Sequence, residues 1–269
     1  MTPTMWEQLG IIGAGGAAVM LTGYLVQRRT KDAGTVDALW ALSLASAAVF
    51  AAITGAGDPA RRVLMGAMVG LWGLRLGLHV LTDRVLKSGE DGRYAEMRER
   101  YGAKAQVFFM AVFATNAVLI VLLSTVFVIA CADGRAVGAA ALGVWQYVGA
   151  ALWVVGIGGE WIADRQLLEF KRDAGGKGRV CEIGLWRYSR HPNYFFEWVI
   201  WCGFAAAAVT GPYGWVAVLA PLLMLGLITK VTGIPPTEAR SLRSRPEAYR
   251  RYQKTTSAFV PWFRKESAT

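Results

Sequence analysis

Apolar residues run along this chain in seven long blocks, near 9–26, 36–54, 63–81, 105–130, 137–162, 194–210 and 213–233, and most charged residues fall between them. Most blocks approach the ~20 residues with which an α-helix crosses the hydrocarbon core of a bilayer. The pattern predicts an all-α membrane protein with seven transmembrane helices. Before the first block the only charged side chain is Glu7, and the basic flank of a cleaved signal peptide is missing, so this block reads as a mature helix. No Pro/Ser-rich linker or internal repeat interrupts the run. The reading is one membrane domain over 1–269, with a Gly/Ala-rich N-terminal bundle over 1–81 and the ligand-binding part over 82–269. In the bundle Gly13, Gly15, Gly16 and Gly23 suit close helix contact in lipid.

Charge then sets the orientation. The segments 27–35, 82–104, 163–192 and 234–269 carry 3, 6, 7 and 8 Lys/Arg, whereas the opposite set of connections holds only Arg61, Arg62 and Arg135. By the positive-inside rule the N-terminus faces outside and the C-terminus the cytoplasm. A hydrophobic share of 54% fits that class, and the net charge of +10 lies in juxtamembrane loops, where anionic headgroups and a phosphorylated cofactor are fitting partners. Nothing resembles a nucleic-acid module. Cys131, Cys181 and Cys202 have neither metal-ligand spacing nor a disulfide framework. The segment 163–192 reads as helical to about Arg172 and broken at Gly175-Gly176. The tail from Pro235 reads as a short amphipathic helix with Tyr249 and Tyr252, then an apolar patch from Phe259 to Phe263.

Three constellations carry candidate chemistry. The strongest lies in GLWRYSRHPNYFFEWVIW (184–201), where Asn193, Glu197 and Trp201 recur at i, i+4 and i+8, one helical face. A carboxylate inside an apolar helix is costly and marks a functional site by default. Lys177, Arg179, Arg187 and Arg190 lie just upstream, with His191, where they could meet a polyanion through charge-assisted hydrogen bonds. A basic anchor with a capped helix would explain the arginines but not Glu197. The second set is Glu160, Asp164 and Lys171, again one face, with carboxylates for an amide or ribose and Lys171 for a phosphate; the plain alternative is a charged helix end. The third is Trp72, Arg75, His79 and Asp83 along the third span, with His79 a proton or hydrogen-bond donor; the plain alternative is a boundary face. Asp37, at the start of the second span, reads as a helix cap or a partner of His79. No Gly-x-Gly-x-x-Gly follows a strand and no Walker loop occurs, so any nucleotide would bind among membrane helices and their loops.

These pieces resemble the steroid 5-alpha-reductase superfamily of polytopic membrane reductases, nearest its prokaryotic branch, which carries the label of a domain of unknown function. The matching stretches are WGLRLGLHVLTDR with EDGRY (72–94), E-W-IADRQLLEFK (160–171), GLWRYSRHPNYFFEW (184–198) and the tail TGIPPTEA…RPEAYRRYQKTTSAFVPW. The resemblance implies seven helices and NADPH bound in the cytoplasmic half. It implies hydride transfer to the conjugated double bond of a lipophilic enone that enters from the bilayer. It places the chain as a multi-pass protein of a bacterial cytoplasmic membrane, with membrane lipids as neighbours. By motif it implicates Arg93, Asp164, Lys171, Asn193, Tyr194, Glu197 and Trp201 in holding the cofactor, with Arg187, Arg190, His191 and Tyr252 beside them. Steroid reductases use a second-helix glutamate and a tyrosine to polarise the carbonyl. This chain has no glutamate between Glu7 and Glu90, and His79 falls near the tyrosine position, so His79 with Asp37 takes the catalytic role.

Membrane methyltransferases of the isoprenylcysteine carboxyl methyltransferase type share part of the signal. Arg190 to Tyr194, Glu238, Tyr249 and Tyr252 fit that class, with S-adenosylmethionine as cofactor. The Asp164/Lys171 segment and the surplus of cations favour the three phosphates of NADPH. A non-catalytic membrane scaffold is the third reading, and predicts no nucleotide binding.

Overall fold

The computed structural model describes residues 2–82, 90–134, 142–173 and 178–265. Asp83, Arg135, Gly175, Gly176 and Lys177, named above, lie outside the described residues. All regular structure among the described residues is helical. Five helical stretches are long and apolar enough to cross a membrane: Met5–Thr30, Thr35–Thr54, Pro59–Val80, Gly92–Ala132 and Gly214–Ser244. The chain is a multi-pass integral membrane protein. Seven spans would also require the helices Val144–Asp173 and Pro192–Ala208. The first of these loads its 30 residues with charge from Glu160 onward, and the second has only 17 residues.

The chain forms two compact units, Met1–Ala150 with Phe204–Ala220, and Ala151–Gly203 with Pro221–Thr269. In the first unit, α1 (Met5–Thr30) opens with a capping box: Glu7 N donates to Thr4 Oγ1 at 3.3 Å and Thr4 N to Glu7 Oε2 at 2.7 Å. Its buried stripe Ile12, Gly16, Met20, Gly23 and Gln27 is a helical face. At Gly13 and Gly16 a Cβ would lie 3.2 Å from Val121 and Ile120, so α1 sits close against α5 (Ala105–Ala132); at Gly15 it would meet nothing. Three of the four predicted contact glycines, Gly23 included, thus face a neighbour.

The helices α2 (Thr35–Thr54) and α3 (Pro59–Val80) cross where Gly73 meets Ala41 O and Ala45. Asp58 caps α3 through Ala60 N at 2.9 Å, and Pro59 takes the first turn, where its missing N–H costs nothing. Trp72 is fully buried against Trp40 and Phe204, edge to face at 6.0 and 5.8 Å. The charged connection after α3 holds one more short helix, α4 (Gly92–Tyr101), capped by Asp91.

In the second unit α6 (Val144–Asp173) meets α7 (Pro192–Ala208), both of which contribute to the two units. Beyond them come α8 (Leu219–Gly226), a π-helical turn Leu227–Val231, α9 (Ile234–Ser244) and α10 (Pro246–Thr255). The single tail helix expected from sequence is two, because Arg245 precedes Pro246 and takes an extended φ of −154°. All three cysteines are free thiols.

Candidate functional site

The site in the second unit follows from two small residues. At Gly156 a Cβ would lie 3.0 Å from the Phe196 carbonyl, and at Gly159 it would collide with the Phe196 ring. With no side chain at either position, α6 and α7 lie close, running in opposite directions, as Gly156 meets Ile200 while Gly159 meets Phe196. One turn or more further along, the same pairing brings Asp164 opposite Asn193, whose Nδ2 donates to Asp164 Oδ1 at 3.3 Å. Asn193 Oδ1 is buried with no hydrogen-bond partner among the described residues. Trp201 Nε1 donates to Glu197 Oε1 at 2.9 Å, so the predicted i, i+4 face is built as spaced. Glu160, one turn before Asp164, is 5% exposed. An amide acceptor without a donor beside a carboxylate is a place where a ligand donor would be held, since buried acceptors are normally satisfied.

The segment before α7 is clamped from both sides. Gly184 has φ +53° and lies against the Gln166 side chain, so it serves where a Cβ would have neither the conformation nor the room. Gln166 Oε1 accepts from Leu185 N at 2.9 Å, and Trp186 Nε1 donates to Ala163 O at 2.9 Å. From the tail, the Tyr252 hydroxyl donates to the Trp186 carbonyl and lies 3.1 Å from Ser189 O.

Glu238 on α9 is the hub of that clamp. It accepts from Arg190 Nε at 2.7 Å, His191 Nε2 at 3.3 Å, Tyr249 OH at 3.3 Å and Gln253 Nε2 at 2.7 Å. Arg190 Nη1 also donates to Gln253 O at 3.1 Å. The His191 ring stacks on Tyr194 at 5.4 Å, and Tyr194 OH lies 3.3 Å from Thr237 Oγ1. Burial pulls the His191 imidazole below its ordinary 6.5, outweighing the upward pull of Glu238, so the ring is neutral and its N–H serves the carboxylate. Burial, with Glu238 second, raises the Tyr249 phenol, and burial raises that of Tyr252; both remain donors.

The His191 shift has a consequence for stability. Because the folded ring holds its proton less tightly than the unfolded one, the unfolded chain takes up the proton first as pH falls. The contribution is therefore present above the unfolded value and is lost as pH drops below ~6.5. Thermal unfolding of the detergent-purified protein from pH 8 to 5 should show the midpoint falling below that value, and His191→Gln should flatten part of the fall. Parallel pH profiles for the two proteins would count against it.

The remaining predicted residues divide between the units. Lys171 and Arg187 are exposed, in the second unit, on the last turn of α6 and in the turn 184–187. In the first unit Arg93 pairs with Asp37 at 2.7 Å and with Asp91 at 3.1 Å, and Tyr94 OH donates to Asp37 Oδ1 at 2.9 Å. Asp37 therefore anchors EDGRY to α2, whose N-cap is Gly34. The same motif holds the connection between α1 and α2, as Glu90 accepts from Ala33 N at 3.0 Å and pairs with Arg98 at 2.7 Å. His79 and Arg75 are half-buried on α3. Sequence reasoning missed Gln166, Gln253 and the pair Gly156/Gly159, and gave Glu238 a role only in the methyltransferase reading. The signal for Glu238 was its scarcity, one of three carboxylates among the eight cations of the tail.

Known proteins place the chain without a reaction. Over 97 residues it is 31% identical to Uncharacterized protein C9.08c of Schizosaccharomyces pombe, covering 30% of this chain and 34% of that one. Over 261 residues it is 25% identical to Uncharacterized protein C594.04c of the same yeast, covering 86% of this chain and 73% of that one. The chain thus spans about a third of the first relative and nearly three quarters of the second. No solved structure matches it. Residues 23–256 match the family described as Protein of unknown function (DUF1295), and the chain belongs to that family.

Proposed function

We propose that this protein is a seven-helix membrane reductase, C-terminus in the cytoplasm, that uses NADPH to reduce the conjugated double bond of a lipophilic enone. The observation that carries the reading is the α6–α7 seam: Asn193 Oδ1, buried and without a donor among the described residues, beside Asp164 and in line with Glu197. That arrangement suits a carboxamide and a ribose, which offer the N–H and O–H groups such acceptors lack. NADPH, when bound, supplies the hydride. Asn193 and Asp164 hold the amide and ribose end, and Glu197, braced by Trp201, fixes the face presented to the substrate. Lys171 and Arg187, exposed, hold phosphates. Arg190 and Tyr252, occupied with the tail, position the segment that carries Arg187, and Arg93 sits between Asp37 and Asp91 as a braced cation. His79 is the donor assigned to the substrate carbonyl.

A methyltransferase using S-adenosylmethionine has one observation of its own: Arg190, His191, Tyr249 and Glu238, part of that class's signature, form one hydrogen-bonded cluster. Parallel titration of NADPH, NADH and S-adenosylmethionine against the purified protein, read by thermal shift or calorimetry, separates the readings. NADPH is expected to stabilise it, and Glu197→Gln to weaken that binding about tenfold, or ~1.4 kcal/mol. Stabilisation by S-adenosylmethionine alone would replace the reductase reading, and unchanged NADPH affinity in a folded Glu197→Gln protein would remove Glu197 from the site.

A further inference from the structure

The C-terminal strap holds large aromatic side chains outward. Residues 256–265 run along the segment 184–191: Arg190 N donates to Ser257 O at 2.8 Å, Ser189 Oγ to Phe259 O at 2.7 Å and Trp262 N to Tyr188 O at 2.9 Å. Phe259 turns inward, with ring centres 5.7 Å from Phe195 and 6.0 Å from Trp198 of α7. Trp198 Nε1 in turn donates to Pro221 O at 3.1 Å, in the stretch Gly214–Ser244 that is long and apolar enough to cross a membrane. The strap is thus joined, through Phe259 and Trp198, to a helical stretch of membrane-crossing length. Immediately beyond that plug Trp262 is 67% exposed and Phe263 79%, with Val260 and Tyr188 also exposed. Lys265 is exposed too.

We propose that this strap is a lipid-docking surface: Trp262 and Phe263 seat in the headgroup–acyl boundary of an anionic bilayer, and Lys265 faces its phosphates. The composition argues for that occupant. Tryptophan and tyrosine, apolar in body and polar at the tip, collect at the membrane–water boundary. A basic residue within reach of an anionic surface adds electrostatic attraction. The backbone bonds fix the strap before lipid arrives, so docking orders little that is not ordered already. The surface is independent of the cofactor assignment.

The test uses the full chain with Cys131, Cys181 and Cys202 replaced by alanine, its fold checked by thermal unfolding, carrying Trp262→Cys or Phe263→Cys labelled with a polarity-sensitive fluorophore. Both positions are largely exposed, so each change removes little beyond the contact between the two rings, 6.4 Å apart at their centres. A label at Lys254→Cys, exposed on α10, is the reference. In phosphatidylcholine–phosphatidylglycerol vesicles both strap labels should shift to the blue. Spin-labelled lipid should quench them about threefold more than the Lys254 label, with aqueous iodide showing the reverse order. Iodide quenching equal to that at Lys254 would overturn the proposal. A label sheltered from both quenchers that cross-links to a second copy would replace lipid by a protein interface. Equal lipid quenching in vesicles without phosphatidylglycerol would overturn the assignment of Lys265 to phosphates.

Discussion

Asp133→Ala should destabilise the protein by about 3–5 kcal/mol, the range for removing one partner of a buried ion pair. Asp133 and Arg61 pair side chain to side chain, each only 2% exposed. Three parts of the first unit depend on Asp133. Its carbonyl accepts from Asp58 N at 3.0 Å, at the start of α3, and its carboxylate ends α5 and accepts from Thr210 Oγ1 at 2.7 Å. Thr210 also accepts from Gln146 Nε2 at 2.9 Å, at the start of α6. Deleting the carboxylate strands a guanidinium where hydration cannot reach it, and the loss exceeds that of the bond itself. The double variant Arg61→Met with Asp133→Leu should recover most of the loss, because two apolar groups of similar volume carry no desolvation penalty. Unfolding in detergent, arranged as a double-mutant cycle, measures this. A loss under about 1 kcal/mol for Asp133→Ala would show that the pair contributes no more than a surface one.

That pair also shows where sequence reading stops. The helices α1, α2, α3 and α5 were legible nearly to their ends, because long apolar runs punctuated by Thr4, Gly55 and Asp58-Pro59 leave few other solutions. Arg61 was legible as a charge in a connection, but not as one bonded to a residue 72 positions away. The face Asn193–Glu197–Trp201 was legible for the opposite reason: its geometry is local, set by the helical repeat alone. Asp164 and Asn193 were separately named, yet their pairing depends on which helix faces meet, and that is decided by Gly156 and Gly159, residues without chemistry of their own. Arg190 was read as a phosphate ligand because a sequence displays a charge and hides its counter-charge, here 48 residues on. The last span, 213–233, is broken into a 3-10 turn, α8 and a π-helical turn, a change in hydrogen-bond period that apolar composition does not encode.

Removing the counter-charge of Arg190 should have the second largest effect. Glu238→Ala deletes at one stroke the acceptor of Arg190, His191, Tyr249 and Gln253, which join the segment before α7 to α9 and α10. Arg190 is left 10% exposed in side chain and without its carboxylate, a loss of about 2–4 kcal/mol once partial access to water is allowed for. The effect should be local. The tail, held by this hub and by Tyr252, should open before the apolar helices do, since segments held by few groups unfold at lower free energy than the whole. Trypsin should then cut at Arg250 and Arg251 of α10 at least ~10-fold faster than in the parent, corresponding to ~1.4 kcal/mol in the opening equilibrium. Glu238→Gln keeps an oxygen for Arg190 Nε but not the charge, and should fall between the two. If the reductase reading holds, NADPH should slow cutting of the parent and do little for Glu238→Ala, because the exposed Arg187 rides on the segment this hub steadies. Equal cutting rates in all three proteins would mean that Tyr252 and the strap hold the tail unaided, and Glu238 would then be a candidate for direct ligand contact.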